Sequence, residues 1–143
     1  MEKVPAVLVE LMAKAIHEIR RDLTAVQPEP SKIDKWAALP WDELPDIYQK
    51  VEVAVVAFRF SDPGADSRSS HQTWMNQLIK SGYKWGEKNS IVDKTHSFLV
   101  SYDQLPYEKR LGNAIIDSVM KNLGYPLVSV MKNPTNVSQK EEK

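Results

Sequence analysis

The apolar residues of this chain recur mainly at helical spacing. From residue 6 to 25 they fall every three or four positions with charged residues between them, which predicts an amphipathic helix. A similar period runs through 70–81 and 106–123. We therefore predict a mostly α, compact single domain with four main helices near 6–25, 45–60, 70–81 and 106–123.

The segment 51–60 is the ambiguous part of this pattern. Its β-branched residues alternate in part, as in a strand, whereas the residues before it are typical of a helix start. The pattern alone leaves both structures open. Short extended pieces are expected at 83–86 and 97–101, and a flexible polar tail at 132–143 follows a domain of residues 1–131.

Two similar five-residue segments each precede a stretch of helical length. Trp41-Asp42-Glu43-Leu44-Pro45 is followed 61 residues later by Tyr102-Asp103-Gln104-Leu105-Pro106. An aspartate can cap a first turn, and proline costs nothing there because the amide that it lacks has no helical acceptor. Five positions are weak support for a true repeat, so we interpret the pair as two helix starts with the same chemistry.

Aromatic, basic and glycine residues concentrate between His71 and Gly86. Trp74 lies in the predicted helix, Gly82 follows its last periodic residue and predicts a left-handed C-terminal cap, and Tyr83 and Trp85 share one face of the next piece. Aromatics at such spacing are more often part of a core. The alternative is a platform on which a planar ligand stacks. The sequence leaves both open.

Composition narrows the classes of function. The 143 residues contain no cysteine, which excludes disulfides, thiolate metal sites and cysteine nucleophiles. Basic and acidic residues number 19 each, so a broad surface for a nucleic acid polymer is not indicated. No signal peptide and no apolar run near the roughly 20 residues of a membrane span are present, and we expect a cytoplasmic protein without a membrane partner.

Catalysis finds little support in the sequence. His17, His71 and His96 are dispersed, they do not have the spacing of metal ligands, and no nucleophile elbow accompanies them. The acidic turns at Asp42-Glu43 and 62–66 are typical of caps. We expect no enzyme activity, no metal and no cofactor.

The chain resembles the RyR domain, the repeat named after ryanodine receptors, from about residue 13 to 124. The resemblance rests on these segments: Ala15-Ile16-His17-Glu18, Trp41-Asp42-Glu43-Leu44-Pro45, Asp62-Pro63-Gly64-Ala65, His71-Gln72-Thr73-Trp74-Met75, Gly82-Tyr83-Lys84-Trp85-Gly86, His96, Leu99-Val100 and Tyr102-Asp103-Gln104-Leu105-Pro106. It departs from the family where Tyr83 and Trp85 exchange the usual order of aromatics, and where Ser97 and Phe98 replace proline and cysteine.

The resemblance implies that 46–60 is helical and that the chain is a ligand-recognition module similar to those that hold adenine nucleotides against aromatic side chains. It does not imply a channel. We expect a nucleotide-like ligand with Trp74 stacked on its ring and Lys84 or Arg68 near its charge; a protein partner or self-association is the alternative. The predicted ligand-binding residues are Trp41, Arg68, His71, Trp74, Tyr83, Lys84, Trp85 and His96.

Overall fold

The computed structural model describes residues 4–26 and 35–133. Five α-helices and a two-stranded parallel sheet make up most of it, together with two short 3-10 helices. The elements in chain order are α1 Ala6–Thr24, the first 3-10 helix Trp41–Glu43, α2 Asp46–Ser61, α3 Ser67–Lys80, β1 Lys84–Trp85, β2 Thr95–His96, the second 3-10 helix Tyr102–Gln104, α4 Tyr107–Val119 and α5 Tyr125–Lys132.

The predicted mostly helical architecture and its four main helices are confirmed, including the ambiguous segment before Ser61, which is α-helical. α1 and α3 each contact both α2 and α4. Apolar residues from all four helices form one core. Of the predicted polar tail, residues 134–143 lie outside the part of the chain that the structure describes.

The two five-residue segments build the same local structure. Each forms a 3-10 helix, then an extended leucine, then a proline that immediately precedes an α-helix. The aspartates do not cap these α-helices with their side chains, contrary to expectation. The prolines instead begin them, since the carbonyls of Pro45 and Pro106 accept the first helical hydrogen bonds.

Gly82 ends α3 in the way the sequence predicts. Its φ is +91°, a conformation that a side chain would strain. The amide of Tyr83 donates to the carbonyl of Leu78 at 3.0 Å, and that of Gly82 donates to the carbonyl of Ile79 at 2.9 Å. This is a Schellman cap, and it turns the chain directly into β1.

Two predicted boundaries are wrong. The second extended piece is Thr95–His96 rather than 97–101, because the Nδ1 atom of His96 accepts from the amide of Phe98 and folds the chain into a turn. Gly124 does not end the last helix but lies in a π-helical turn that continues into α5. A Cβ atom there would lie 3.1 Å from Cε of Met120, so glycine serves close packing at this position.

Candidate functional site

Two histidines occupy corresponding places in the two halves of the fold. We define the first half as α1, the first 3-10 helix and α2, and the second half as α3 through α4. Nε2 of His17 lies 2.6 Å from the carbonyl oxygen of Leu39, and Nε2 of His71 lies 2.7 Å from that of Val100. Each carbonyl comes two residues before the aromatic that opens its 3-10 helix. Since a carbonyl only accepts, Nε2 donates in both cases and Nδ1 is left as an acceptor.

The residue three positions after each histidine differs between the halves. Arg20 donates from Nη2 to Nδ1 of His17 at 3.2 Å and to the Glu52 carboxylate at 3.3 Å. Trp74 instead stacks on His71, with 5.5 Å between ring centroids and 19° between ring planes. Within the described residues, Nδ1 of His71 is buried and has no hydrogen-bond partner. The first half therefore closes a polar network where the second half presents an indole.

Trp74 lines a small cavity between the two halves, which we call the aromatic cavity. Its volume is about 20 Å³, enough for a single water molecule. The rings around it come from Trp36, Tyr48, Trp74 and His96. His96 meets Trp74 edge-on at 4.9 Å between centroids.

Three charged side chains share the wall of the aromatic cavity: Arg20, Glu52 and Lys109. Nζ of Lys109 lies 4.2 Å from the centroid of the Trp74 ring and 6.0 Å from that of Phe98. Such a contact between an ammonium and an indole is a cation–π interaction. The Lys109 side chain therefore covers the aromatic surface that the sequence predicts for ligand stacking.

Burial and neighbouring charges determine the ionisation of the site. Burial opposes ionisation of the Glu52 carboxyl, but Arg20, Lys109 and His17 outweigh it and hold the pKa of Glu52 below its ordinary value. Burial is the main cause that lowers the pKa of His71, to about 4; the hydrogen bond to Val100 opposes this shift, and the charges of Lys109 and His96 add to it. At neutral pH Glu52 is an anion and His71 is uncharged.

A second cavity, of about 50 Å³, adjoins the first between α1 and α4. We call it the α1–α4 cavity. Arg20, Ala37 and Lys109 line both cavities, so the side chains of Arg20 and Lys109 lie between the two spaces.

The predicted aromatic cluster is not assembled on one open surface. Trp74 and Tyr83 are only 4% and 6% exposed and belong to the core, whereas Trp85 is 55% exposed on β1. Tyr83 packs against Tyr48, with 6.3 Å between centroids, and does not line the aromatic cavity. An open platform is therefore wrong for Trp74 and Tyr83, because their rings fill the space between helices.

The other predicted residues divide between the cavity and the surface. His96 lines the aromatic cavity and His71 lies behind Trp74, and each of the two histidines makes a hydrogen bond to the backbone. Trp41 is buried against His17. Arg68 is on the surface, where it donates to Asp103 at 2.6 Å and lies over Tyr102.

The cations near Trp74 are thus not the predicted ones. Lys84 is exposed on β1 beside Trp85, and Arg68 forms a salt bridge with the carboxylate of Asp103. Sequence reasoning missed Arg20, Glu52 and Lys109, which come from three helices. Two spacings in the sequence indicate some of these residues. Tyr48 and Glu52 are one helical turn apart, so their side chains share a face of α2. Lys109 lies 61 residues after Tyr48, which is also the distance between the two five-residue segments, so Lys109 has the same place after the second segment as Tyr48 has after the first.

Residues 4–26 and 35–133 contain no group of three or more histidine or acidic side chains placed to hold a metal ion. Over the same ranges, every helix is too short or too polar to cross a bilayer. Searches of protein-family models and of curated proteins give no match for this chain.

Proposed function

We propose that this chain is a non-catalytic recognition module of the ryanodine-receptor repeat type, which binds a planar, anionic, nucleotide-like small molecule at Trp74. The observation that carries the proposal is the position of Lys109. Its flexible side chain places an ammonium group over a tryptophan ring that also lines a cavity. An incoming ring can exchange with that ammonium, which is then available to the anionic group of the ligand.

The size of the aromatic cavity defines how binding occurs. A space of about 20 Å³ does not admit a ring, so the ligand enters only as Lys109 moves away. Stacking on an aromatic side chain is worth about 1–3 kcal/mol per base, against about 0.5–2 kcal/mol for the cation–π contact that is lost. The difference is small, and we expect weak binding.

The histidines support recognition rather than catalysis. Nε2 of His17 and Nε2 of His71 each donate a hydrogen bond to a backbone carbonyl, and Nδ1 of His96 accepts a hydrogen bond from a backbone amide. The last of these bonds joins His96 to Phe98, and these two residues line the two cavities. A histidine with a pKa near 4, such as His71, is also far from the range in which a general acid or base works best at neutral pH.

Calorimetry tests the proposal with four ligands: adenosine, AMP, ATP and naphthalene-2-carboxylate. The wild-type protein should bind at least one anionic ring compound. Trp74→Phe keeps most of the buried volume but offers a smaller ring for stacking, so it should weaken all the ring ligands that bind. Lys109→Met keeps the apolar stem without the charge, and it should reduce the preference for AMP over adenosine.

The matched control is Lys84→Met, which removes an exposed cation outside both cavities and should leave every affinity unchanged. The proposal fails if the folded wild type binds none of the four compounds. It also fails if binding is indifferent to both Trp74→Phe and Lys109→Met.

The alternative of a protein-interaction domain has one specific observation in its favour. β1 presents Lys84 and Trp85 on the surface, and an exposed tryptophan beside a cation suits the acidic segment of a partner. Trp85→Ala separates the two functions, since it should weaken capture of a partner and leave small-molecule binding at Trp74 unchanged.

A further inference from the structure

The α1–α4 cavity has a mostly apolar wall. Leu23 of α1, Leu111 and Ile115 of α4, and Phe98 from the segment after β2 all line it. Polar groups are contributed by Thr24, Glu108, Arg20 and Lys109, the last two of which also line the aromatic cavity. A surface of this kind favours an apolar substituent over a chain of phosphates.

The charges around the two cavities balance. Arg20 and Lys109 are cationic, whereas Glu52 lines one cavity and Glu108 lines the other. A polyphosphate would bring several negative charges against two carboxylates, one of them buried. A single anionic group beside Lys109 meets a cation and experiences less of that repulsion.

Gly112 keeps the α1–α4 cavity open at the point where α4 approaches α1. A Cβ atom at Gly112 would lie 3.3 Å from Cδ of Arg20. The glycine therefore leaves room for the side chain of Arg20, which lies between the two cavities. Any larger residue at this position narrows the α1–α4 cavity and presses on Arg20.

We infer that the two cavities form one binding site for a monoanionic amphipathic molecule, with its planar ring on Trp74, its anionic group at Lys109 and its apolar tail between α1 and α4. This assignment rests on the proposed binding of a ring at Trp74. It adds the tail subsite, and it places polyphosphates among the weakest anionic ligands.

A matched pair of probes tests the tail subsite: naphthalene-2-carboxylate and its derivatives with a butyl group at ring position 6 or 7. Each buried methylene favours binding through the hydrophobic effect. We expect at least one butyl derivative to bind ten or more times as tightly as the unsubstituted acid. ATP should bind more weakly than either.

Two substitutions test whether the gain in affinity from the butyl group arises in the α1–α4 cavity. Gly112→Leu fills the α1–α4 cavity from α4, and Leu23→Trp fills it from α1, where Leu23 is partly exposed and a larger side chain is easier to accommodate. Either variant should abolish the gain from the butyl group. Ile19→Trp, one turn earlier on α1 and outside the cavity, is the control and should keep the gain.

The outcomes separate this inference from the proposed function. A tenfold gain that Leu23→Trp removes and Ile19→Trp keeps establishes the tail subsite. If the unsubstituted acid binds through Trp74 but neither butyl derivative binds more tightly, or if ATP binds best, the inference is overturned and the proposed function stands. If none of the ring compounds binds the folded wild type, both fail.

Discussion

The two halves of this protein use one position in opposite ways. Three residues after its histidine, the first half has Arg20, which joins His17 to Glu52 in a network of hydrogen bonds. The second half has Trp74, which stacks on His71 and leaves the Nδ1 atom of that histidine without a partner among the described residues. The first half places a hydrogen-bonded ion pair at the aromatic cavity, whereas the second half places a ring there.

The same contrast continues on the following helices. Glu52, the seventh residue of α2, corresponds to Asn113, the seventh residue of α4. Glu52 accepts from Arg20, whereas Nδ2 of the buried Asn113 has no partner within the described residues. Tyr48 and Lys109 correspond in the same way, and both line the aromatic cavity. The comparison teaches that the same local frame can hold a hydrogen-bonded network in one half and place an aromatic ring beside a cavity in the other.

The largest expected effect is on stability at Trp74. Truncation of this buried ring by Trp74→Ala should lower the free energy of unfolding by about 3–5 kcal/mol, because a large cavity is left in the core. Trp85→Ala removes an exposed ring and should cost less than about 0.5 kcal/mol. Urea unfolding measures both, and equal losses would contradict the different burial of the two tryptophans.

The second-largest expected effect is the loss of stability when Arg20 is replaced. Arg20→Met leaves the buried Glu52 carboxylate without its hydrogen-bonded partner and should cost about 3 kcal/mol. The double substitution Arg20→Met with Glu52→Leu should recover most of that loss, since a hydrophobic pair of similar volume often replaces a buried ion pair without cost. A single substitution that costs less than about 1 kcal/mol would show that Arg20 and Glu52 are not coupled.

The histidines differ in their dependence on pH. His71 has a pKa near 4 in the folded protein and an ordinary value of 6.5 when unfolded, so the unfolded chain binds the extra proton first as pH falls. The neutral His71 side chain therefore contributes to the free energy of unfolding above pH 6.5, and this contribution is lost as pH falls towards 4. The loss between pH 7 and pH 5 is about 2 kcal/mol.

The pKa of His17 is also lowered, by burial and by the charge of Arg20, but the hydrogen bond to Leu39 and the carboxylates of Glu52 and Glu18 oppose the shift. His71→Gln should therefore flatten the fall in stability between pH 7 and pH 5 more than His17→Gln does. Chemical denaturation at several pH values measures the slopes, and an equal effect of the two substitutions would contradict the assignment.

The smallest expected effect concerns Arg68. This residue is bound to Asp103 on the surface, away from the cavity that Trp74 lines. Arg68→Ala should leave the affinity for ring ligands unchanged in calorimetry, whereas Lys109→Met should alter it. A loss of affinity in Arg68→Ala would restore the assignment made from sequence.

The sequence predicts what local chemistry decides. A glycine such as Gly82, directly after a helix, is typical of a C-terminal cap, and the helical period of α1 and α4 is strong, so these features follow from short stretches of chain. Two features need tertiary contacts: the close packing of Gly124 against Met12 of α1, and the burial of Tyr83.

The same limit explains the site. Trp74 and His96 stand out by residue type, and both line the aromatic cavity. Lys109 does not stand out, because one lysine on an amphipathic helix is ordinarily solvated. Only the packing of α4 against α3 brings its ammonium over the indole of Trp74, and no spacing within one helix encodes that contact.

The central claim, that a ligand ring takes the place of the Lys109 ammonium on Trp74, is tested most directly by NMR of the Lys109 side chain. In the free protein its terminal protons lie over the indole and should be shifted upfield by the ring current, with Lys109→Met used to assign the signals. Titration with AMP or naphthalene-2-carboxylate should move these signals to the values of a solvated lysine, with the same saturation curve as in calorimetry. Signals that keep their upfield shift while the ligand saturates the protein would contradict the account.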